Sequence, residues 1–377
     1  MARPIAIAAG GTGGHLFPAE ALAAELIARG ERVALMTDAR SSAYDSPAFA
    51  AAERFVLKGA GLAGRGMRRA AAGAAALLAG TAQARRLLGE IEAAAVVGFG
   101  GYPSVPPLTA ARLLPASRRP VTVLHEQNAV LGRANRLLAR GVDLLALSFP
   151  GTRRVPPGCA AKAQVVGTPV RPALAALAGR GYPLPPPGAA LRLLVLGGSQ
   201  GARVFADVVP HAVAALPDML RARMLVTQQC RPEDLDRTRA AYAACGVPAE
   251  LAPFFPDVAG RLATAHLVIA RAGASTVAEL ACAGRPAILV PLPHAIDDHQ
   301  SANAAALATA GAAWVMPQPQ FTAAALTERL AALCGDPVLL AQAADAAAEL
   351  ARPEAARDLA DRILLLVARA TAPAGGR

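Results

Sequence analysis

The stretch Ile5–His15 reads IAIAAGGTGGH and decides the fold, because a short apolar run passes directly into consecutive glycines. The run Ile5–Ala9 predicts a buried first strand, and the glycines after it predict a tight turn before a helix. Such a turn lets the backbone approach a ligand closely and points amide N–H groups at it, beside the positive end of the helix dipole. The stretch therefore favours a Rossmann-like domain that holds an anion, most often a pyrophosphate.

A second stretch repeats the pattern halfway along the chain, where the apolar run Leu193–Leu196 precedes Gly197–Ala202, which reads GGSQGA. Between the repeats, Thr168–Leu191 is rich in proline, as linkers are. Short apolar runs alternate with helix-length segments in both halves, which is typical of parallel sheets covered on both faces. The sequence therefore predicts an α/β protein with two Rossmann-like parallel-sheet domains that face each other across a cleft.

We place the first domain at residues 1–168 and the second at 169–350, with a helical segment at about 353–371 returning to the first domain. The candidate strands are Pro4–Ala8, Arg32–Met36, Ala94–Val97, Val121–Leu124, Leu144–Leu147, Gln164–Val166, Leu193–Leu196, Arg223–Val226, His266–Ala270, Ala287–Val290 and Ala313–Val315. These strands and the helical segments between them give the doubly wound pattern in each half.

The composition narrows the class of protein. A net charge of +11 favours anionic partners, although substitution of Arg for Lys in a GC-rich genome would give the same excess. No basic run is interleaved with aromatic residues, so we expect no nucleic-acid binding. Five scattered cysteines without a CxxC pair indicate free thiols in a reducing cytoplasm. We expect neither a signal peptide nor a membrane span, since the long uncharged stretches are broken by glycine and proline.

Alternatives to a sugar-nucleotide site remain open for the glycine turns. The first turn has Leu16 where the nicotinamide fingerprint requires its third glycine, but Asp38 could imitate the ribose-binding acid of that fingerprint. Neither turn is a P-loop, because no Gly-Lys-Ser/Thr follows. Two tight turns without any ligand are the structural alternative.

Polar residues also gather in five stretches, most of which directly follow a predicted strand, where open α/β sheets bind their ligands. The stretches are Gly98–Ser104, His125–Asn128, Thr168–Arg171, Arg271–Glu279 and His294–Asn303. We therefore expect one polar rim in each domain, at the carboxyl ends of the strands.

Structural explanations exist for some of these polar residues. Asn128 could cap the next helix, and Ser275 could cap the helix that carries Glu279. Alternatively, the Glu279 carboxylate could accept bonds from two adjacent ribose hydroxyls. A metal site around His294 and His299 lacks a supporting partner, so we expect no metal and assign polar sugar contacts to this loop instead.

The motifs together closely resemble the MurG family, the UDP-GlcNAc:lipid I N-acetylglucosaminyltransferases of bacterial peptidoglycan synthesis. They occur in family order over residues 5 to about 315 and comprise GGTGGHLFP, GFGGYPSVPP, HEQN, GGSQGA and the segments Arg271–Glu279, Ala283–Pro286 and Asp298–Asn303. The resemblance implies a GT-B fold, a UDP-GlcNAc donor and an undecaprenyl-linked lipid I acceptor. It implies an inverting reaction in which the C4 hydroxyl of the MurNAc-pentapeptide attacks C1 of GlcNAc, with no cofactor.

The resemblance also implies roles for single residues. His15 is the candidate general base, because an imidazole can take up a hydroxyl proton near neutral pH. The implied substrate contacts are Thr12, Gly13 and Gly14 at the donor and acceptor diphosphates, Asn128 near the GlcNAc, Arg171 and Ser199 at the diphosphate, Phe255 at uracil through its backbone, Glu279 at the ribose, and His299 and Gln300 at the sugar. The chain departs from the family in two places: His299 replaces a second glutamine of some members, and Phe255 replaces a common aliphatic residue.

The segment Leu62–Leu88 carries basic residues on either side of an Ala/Leu helix. This arrangement favours peripheral docking on an anionic membrane, although an ordinary Ala-rich helix with solvated ends would look the same. Together with the family, it predicts a peripheral protein at the cytoplasmic face of the inner membrane, with cell-wall synthesis proteins as partners.

Three rival functions remain at this point. Another GT-B enzyme on UDP-GlcNAc, such as a 2-epimerase or a natural-product glycosyltransferase, would share the fold. A nicotinamide oxidoreductase would share the first turn, and a noncatalytic nucleotide-sugar binder would share both turns.

Overall fold

The computed structural model describes residues 3–11, 13–42, 44, 46–58, 67–198 and 201–372, although not the side chains of residues 67–71. The chain divides into two compact domains, and each is described by itself. The first comprises Met1–Arg171 and Glu354–Arg377, and the second comprises Pro172–Pro353.

The first domain is built on a seven-stranded sheet in which every strand pair is parallel. The strands are β1 (Ile5–Ala8), β2 (Val33–Thr37), β3 (Glu53–Val56), β4 (Ala95–Gly98), β5 (Val121–Glu126), β6 (Leu144–Leu147) and β7 (Ala163–Val165). They lie in the order β3-β2-β1-β4-β5-β6-β7. The strand order therefore reverses between β1 and β4, which is where open α/β sheets place their ligand crevice.

Helices cover both faces of this sheet. The helices that follow in the chain are α1 (Gly13–Ala28), α2 (Pro47–Ala50), α3 (Met67–Glu90), α4 (Gly101–Arg112) and α5 (Arg133–Leu138). Ile5 and Ile7 of β1 belong to the apolar layer shared with α1, whereas Ala6 belongs to the layer shared with α3 and α4. Burial on both faces explains why β1 is a continuous apolar run, with each isoleucine contributing roughly 1.5–3 kcal/mol.

The second domain repeats the design with a six-stranded, all-parallel sheet. Its strands are β8 (Leu191–Leu196), β9 (Met224–Gln229), β10 (Ala249–Ala252), β11 (Leu267–Ala270), β12 (Ala287–Leu289) and β13 (Ala313–Val315). They lie in the order β10-β9-β8-β11-β12-β13, so the order reverses between β8 and β11.

The helices of the second domain are α6 (Pro172–Ala175), α7 (Arg203–Ala214), α8 (Asp218–Arg221), α9 (Leu235–Ala244), α10 (Val258–Thr264), α11 (Ala274–Ala283), α12 (His299–Thr309), α13 (Ala323–Gly335) and α14 (Pro337–Glu349). The chain then returns to the first domain as α15 (Ala355–Thr371). Leu359 and Ile363 of α15 pack in the same apolar layer as Leu22 of α1, and Asp361 pairs with Arg29 at 2.5 Å.

The predicted fold class, two Rossmann-like parallel-sheet domains, is confirmed. Two strands, β3 and β10, are absent from the prediction because both are edge strands with charged residues and no apolar run (ERFV and AELA). Helix α4 also escaped prediction, because Pro106 and Pro107 lie inside it. Among the described residues, no single helix is long and apolar enough to cross a membrane, and only α13 and α14, bent by 92°, pass such a test as a pair.

Candidate active site

The first glycine turn lies between β1 and α1, where its backbone is tightly surrounded. A Cβ on Gly10 would lie 3.0 Å from Pro103 Cγ and 3.2 Å from Thr37 Oγ1, so no side chain fits there without displacement. Gly11 has a φ of 86°, which glycine adopts readily, and its N–H donates to Ser41 Oγ at 2.7 Å. Thr12, the next predicted contact, lies outside the described residues. The turn thus leads from the carboxyl end of β1 into α1.

His15 lies in the first turn of α1 and is half-buried. Its Nδ1 is 3.1 Å from Gln127 Oε1, which follows the end of β5. A Cβ on Gly101, just after β4, would lie 3.4 Å from His15 Nε2. Segments that follow β1, β4 and β5 therefore meet at His15, at the point where the strand order reverses.

His125 and Gln127 extend the contacts of His15 into the core. Gln127 Nε2 lies 3.0 Å from His125 Nδ1, and His125 Nε2 lies 2.9 Å from the carbonyl oxygen of Gly167. His125 is fully buried, with its ring 5.3 Å from that of Phe99. Burial lowers the pKa of His125 to about 4, because a charged imidazole would lose its hydration there.

Glu126, the middle of the same motif, is occupied by local hydrogen bonds. Its carboxylate accepts from the backbone N–H and the side-chain amide of Asn128, at 2.9 and 3.0 Å, and from the N–H of Gly132 at 2.7 Å. The Asn135 amide donates to it at 2.8 Å. Glu126 therefore holds the loop that presents Asn128.

The alternative in which Asn128 caps the next helix is wrong. Helix α5 begins at Arg133, and its N-cap residue is Gly132. Because the bonds to Glu126 hold the loop in an extended turn, the helix starts four residues later than the cap would require.

Arg171 and Gly13 lie on the other side of α1. The Arg171 guanidinium is 4.5 Å from the centre of the Phe17 ring, and a Cβ on Gly13 would lie 3.0 Å from the same ring. Arg171 is the last residue of the first domain before the chain enters the second. The first domain thus brings its predicted residues Gly13, His15 and Arg171 together around the first turns of α1, and Gly14 is exposed in the same turn.

The second glycine turn follows β8 and is closed on itself. A Cβ on Gly197 would lie 2.5 Å from Ala202 N, and Gly198 and Gly201 have φ values of 81° and 66°. Ser199, the predicted diphosphate contact, lies outside the described residues. Glycine is thus required at Gly197 by space and is favoured at the other two positions by backbone conformation.

Gln229, at the end of β9, fastens this turn. Its Oε1 accepts from Gly197 N at 3.0 Å, and its Nε2 donates to the carbonyl oxygens of Gly198 and Pro253 at 3.0 and 3.1 Å. One buried amide therefore fixes both the glycine turn and the loop that leads to Phe255.

Phe255 is buried, with the Arg261 guanidinium 4.0 Å above its ring. Arg261 also forms a two-pronged ion pair with Glu250, at 2.6 and 2.7 Å. The ring of Phe255 is therefore used for packing against Arg261.

Glu279 is buried in α11, the helix that follows β11. The structural alternative of a cap by Ser275 is wrong, because α11 begins at Ala274 with Gly273 as its N-cap and no side-chain cap bond. Among the described residues, no hydrogen-bond partner of Ser275 Oγ is found, although the atom is buried. The first turn of α11 therefore keeps an uncommitted hydroxyl.

His299 and Gln300 begin α12 and are tethered to their own loop. His299 Nδ1 donates to the carbonyl oxygen of Ile296 at 2.7 Å, and Gln300 Oε1 accepts from Leu292 N at 2.9 Å. The tethers use His299 Nδ1 and Gln300 Oε1, so the other side-chain nitrogen of each residue takes no part in them. Within the described residues, no group of three or more His, Cys, Asp and Glu side chains could hold a metal ion.

Gln127 had no predicted role, and Gln229 was not among the predicted site residues. Gln127 was visible inside the polar stretch His125–Asn128, but its partner His15 is 112 positions away. Gln229 was missed because the predicted strand ended at Val226, whereas β9 continues to Gln229. The consecutive glutamines Gln228 and Gln229 were the sequence signal that could have indicated polar contacts at the end of a longer strand.

The two domains match the two domains of a known glycosyltransferase family. The glycosyltransferase family 28 N-terminal domain matches residues 5–146, and the family 28 C-terminal domain matches residues 192–363. The crystal structure of Acinetobacter baumannii MurG superposes with a TM-score of 0.76 at 30% identity, covering 96% of this chain and 99% of that chain.

Two curated relatives extend the similarity over nearly the whole length. Both are named UDP-N-acetylglucosamine--N-acetylmuramyl-(pentapeptide) pyrophosphoryl-undecaprenol N-acetylglucosamine transferase. The protein from Granulibacter bethesdensis is 59% identical over 373 residues, which is 99% of this chain and 96% of that protein. The protein from Rhodospirillum centenum is 57% identical over 361 residues, 96% of this chain and 94% of that protein. The chain therefore belongs to glycosyltransferase family 28 and, within it, to the MurG family.

Proposed function

We propose that the protein transfers GlcNAc from UDP-GlcNAc to the C4 hydroxyl of the MurNAc-pentapeptide of undecaprenyl-linked lipid I, with inversion at C1. The observation that carries the proposal is the 59% identity, over 99% of the chain, to a relative named for this donor and this acceptor. The geometry around His15 supports it, because a histidine at the reversal point of the first sheet suits acceptance of a hydroxyl proton.

In the first domain, His15 acts as the general base. The acceptor oxygen forms the new bond to C1 of GlcNAc while its proton moves to His15, and the bond between C1 and the phosphate oxygen breaks. The bonding electrons leave with UDP. Asn128, held by Glu126, lies near the GlcNAc, and Arg171 contributes a fixed positive charge for a diphosphate. Thr12, Gly13 and Gly14 supply backbone contacts.

In the second domain, the glycine turn with Ser199 holds the diphosphate of the donor. Glu279 accepts bonds from the ribose hydroxyls, the backbone at Phe255 contacts uracil, and His299 and Gln300 contact the GlcNAc hydroxyls. Aligned backbone N–H groups at a helix N-terminus stabilise the charge that develops on the departing UDP.

A transfer assay tests this proposal. Radiolabelled UDP-GlcNAc and a lipid I analogue are incubated with the purified chain, and the labelled disaccharide lipid is separated and identified. We expect product only when both substrates are present, with the β configuration that inversion of the α-linked donor gives. Formation of UDP-ManNAc from UDP-GlcNAc alone would instead identify a 2-epimerase, and UDP binding without turnover would identify a noncatalytic binder.

We also assign the protein to the cytoplasmic face of the inner membrane, attached peripherally through the first domain. Helix α3 and the segment after α4 line an open groove that exposes Leu78 and Leu113, which are 72% and 56% exposed. Arg85, Arg86 and Arg118 border the same groove. Glu90 also lines the groove and pairs with Arg86 at 3.3 Å. Apolar side chains beside arginines that outnumber the acidic residue suit an anionic lipid surface, at about 1 kcal/mol for each well-placed arginine.

Vesicle pelleting tests the membrane assignment. We expect the chain to sediment with vesicles that contain phosphatidylglycerol, to remain in solution with phosphatidylcholine alone, and to be released by high salt. The double variant Arg85→Gln/Arg86→Gln should sediment less than the control Arg239→Gln, an exposed arginine of the second domain. Equal sedimentation of the two variants, or binding insensitive to salt, contradicts this assignment.

A further inference from the structure

Three hydrogen bonds connect His15 to the buried interior of the first domain. They run from His15 Nδ1 to Gln127 Oε1, from Gln127 Nε2 to His125 Nδ1, and from His125 Nε2 to the Gly167 carbonyl oxygen. Hydrogen positions along this chain of bonds follow from the chemistry of its ends, because a carbonyl oxygen can only accept.

The chain of bonds starts at Gly167. Its carbonyl oxygen lies 2.9 Å from His125 Nε2, so Nε2 must carry the hydrogen. His125 is fully buried, and its pKa of about 4 keeps the ring neutral at physiological pH. A neutral imidazole has one N–H, so His125 Nδ1 is left as a lone pair that can only accept.

The Gln127 amide connects the protonation of the His125 ring to that of His15. Its Nε2 faces two acceptors, His125 Nδ1 at 3.0 Å and the His125 carbonyl oxygen at 3.2 Å. Exchange of the amide nitrogen and oxygen would place an oxygen against both acceptors, so two independent contacts fix the amide orientation. Gln127 Oε1 therefore faces His15, where it needs a donor.

We infer that Gln127 and His125 are positioning residues that hold His15 with its proton on Nδ1, so that Nε2 presents the lone pair that takes up the acceptor's hydroxyl proton. In the neutral ring, with Oε1 of Gln127 accepting from His15 Nδ1 at 3.1 Å, the lone pair is on Nε2, beside the glycine backbone at Gly101. This inference rests on the proposed transfer for its chemical meaning. The hydrogen-bonded geometry stands independently of it.

The first experiment reads the tautomer without any transfer. The full chain is labelled with 15N-histidine, and two-bond 15N–1H spectra at about pH 8, where ordinary imidazoles are neutral, distinguish protonated from bare ring nitrogens. The signals of His15 are identified by their loss in His15→Ala. We expect a protonated Nδ1 and a bare Nε2 on His15. A protonated Nε2 on His15 overturns the inference.

The second experiment removes the connection. Gln127→Met keeps the length of the side chain but loses both amide groups. We expect kcat with a lipid I analogue to fall about 10- to 100-fold, part of the 10²–10⁴-fold that a general base contributes. The KM for UDP-GlcNAc should change by less than about twofold, because the donor contacts remain. His15 should then populate both tautomers.

Two further variants complete the series. His125→Phe leaves the backbone carbonyl as an acceptor for Gln127, so kcat should fall less, by about 3- to 10-fold. Gln164→Met is the matched control, since this exposed amide of the same domain accepts one hydrogen bond, from Arg362 at 2.8 Å, among the described residues. Equal kcat values for Gln127→Met and Gln164→Met overturn the inference. If Gln127→Met does not fold, the wild-type spectrum still decides.

The two proposals fail in different ways. Wild-type protein that transfers GlcNAc while His15 carries its proton on Nε2 overturns the positioning role and leaves the proposed function standing. Protein that makes no product while His15 shows the bare Nε2 overturns the proposed function and supports the chain of bonds.

Discussion

The two glycine turns share one backbone design but are held in different ways. Each follows the strand at which its sheet reverses order, β1 in the first domain and β8 in the second. The first turn leads into a helix whose His15 is connected by side chains to buried His125. The second is fastened by Gln229, whose hydrogen bonds within the described part of the chain go to backbone groups of the turn and of a neighbouring loop.

The comparison indicates that a Rossmann-like turn provides a site for an anion. The side chains around the turn decide whether it can also transfer a proton. A side-chain connection can set a protonation state, because it ends on a titratable ring. A backbone clamp can only set a shape. We therefore propose that proton transfer takes place at the first turn and that the second domain supplies most of the donor contacts.

The largest expected effect is on the first turn. His15→Ala should lower kcat by about 10²–10⁴-fold, or roughly 3–5 kcal/mol, because the general base is lost. UDP-GlcNAc binding, measured by calorimetry, should be largely retained, because the proposed contacts to uracil, to the ribose and to the GlcNAc hydroxyls lie in the other domain. The control is His211→Ala, an exposed histidine on α7. Loss of donor binding in His15→Ala would contradict the proposal that the first domain transfers the proton while the second binds most of the donor.

The next effect is the acid sensitivity of the first domain. The pKa of folded His125, about 4, lies below its unfolded value of about 6.5, so the unfolded chain binds the proton first. Stability is therefore greatest above pH 6.5 and should fall by up to about 3 kcal/mol as the pH drops from about 6.5 to 4. Urea unfolding followed by circular dichroism should show this slope in the wild type. Because carboxylates also titrate in this range, the slope assigned to His125 is the part that His125→Phe removes.

A loss of stability of similar size is expected in the second domain, at a side chain that does not titrate near neutral pH. Arg285 is buried and donates to the carbonyl oxygens of Leu262, Ala263, Gly181 and Gly284. Arg285→Met removes these four hydrogen bonds, and it also removes the cost of burying the guanidinium, which lowers the pKa of Arg285. We expect a net loss of about 2–3 kcal/mol, measured by urea unfolding through the fluorescence of Trp314 in β13. An unfolding midpoint equal to that of Arg239→Met would contradict the role of Arg285.

Donor affinity gives a smaller effect, confined to the second domain. Glu279→Gln should raise the KM for UDP-GlcNAc about tenfold, since bonds from ribose hydroxyls to an amide are weaker than those to a carboxylate by about 1.4 kcal/mol. Little change in kcat is expected, because these contacts are equal in the ground and transition states. Glu328→Gln, at an exposed position of α13, is the control. A fall in kcat without a change in KM would move Glu279 to the reacting centre.

The sequence predicted what is local and missed what depends on distance in the fold. Both glycine turns and the parallel sheets could be predicted, because an apolar run followed directly by glycines is compatible with few structures other than a buried strand and a tight turn. The connection between His15 and Gln127 was not, since 112 positions separate them and only the sheet order brings β1 and β5 near each other. The cap by Ser275 failed over two residues, because α11 starts at Ala274 and has Gly273 as its N-cap, and helix starts are set by backbone geometry that residue types alone do not fix.

The smallest effect separates contact from strain. Gly101→Ala and Gly246→Ala place a side chain at nearly the same backbone conformation, with φ values of 67° and 69°. Both should lose about 1 kcal/mol of stability, because alanine is strained there. A Cβ at Gly246 meets open space, whereas one at Gly101 reaches 3.4 Å from His15 Nε2. Transfer should therefore fall about 3- to 10-fold only in Gly101→Ala, since small displacements at a reacting group lower its rate. Equal kcat values in the two variants would mean that the acceptor does not approach His15 from the side of Gly101, and the lone pair on Nε2 would then lack access to its proton.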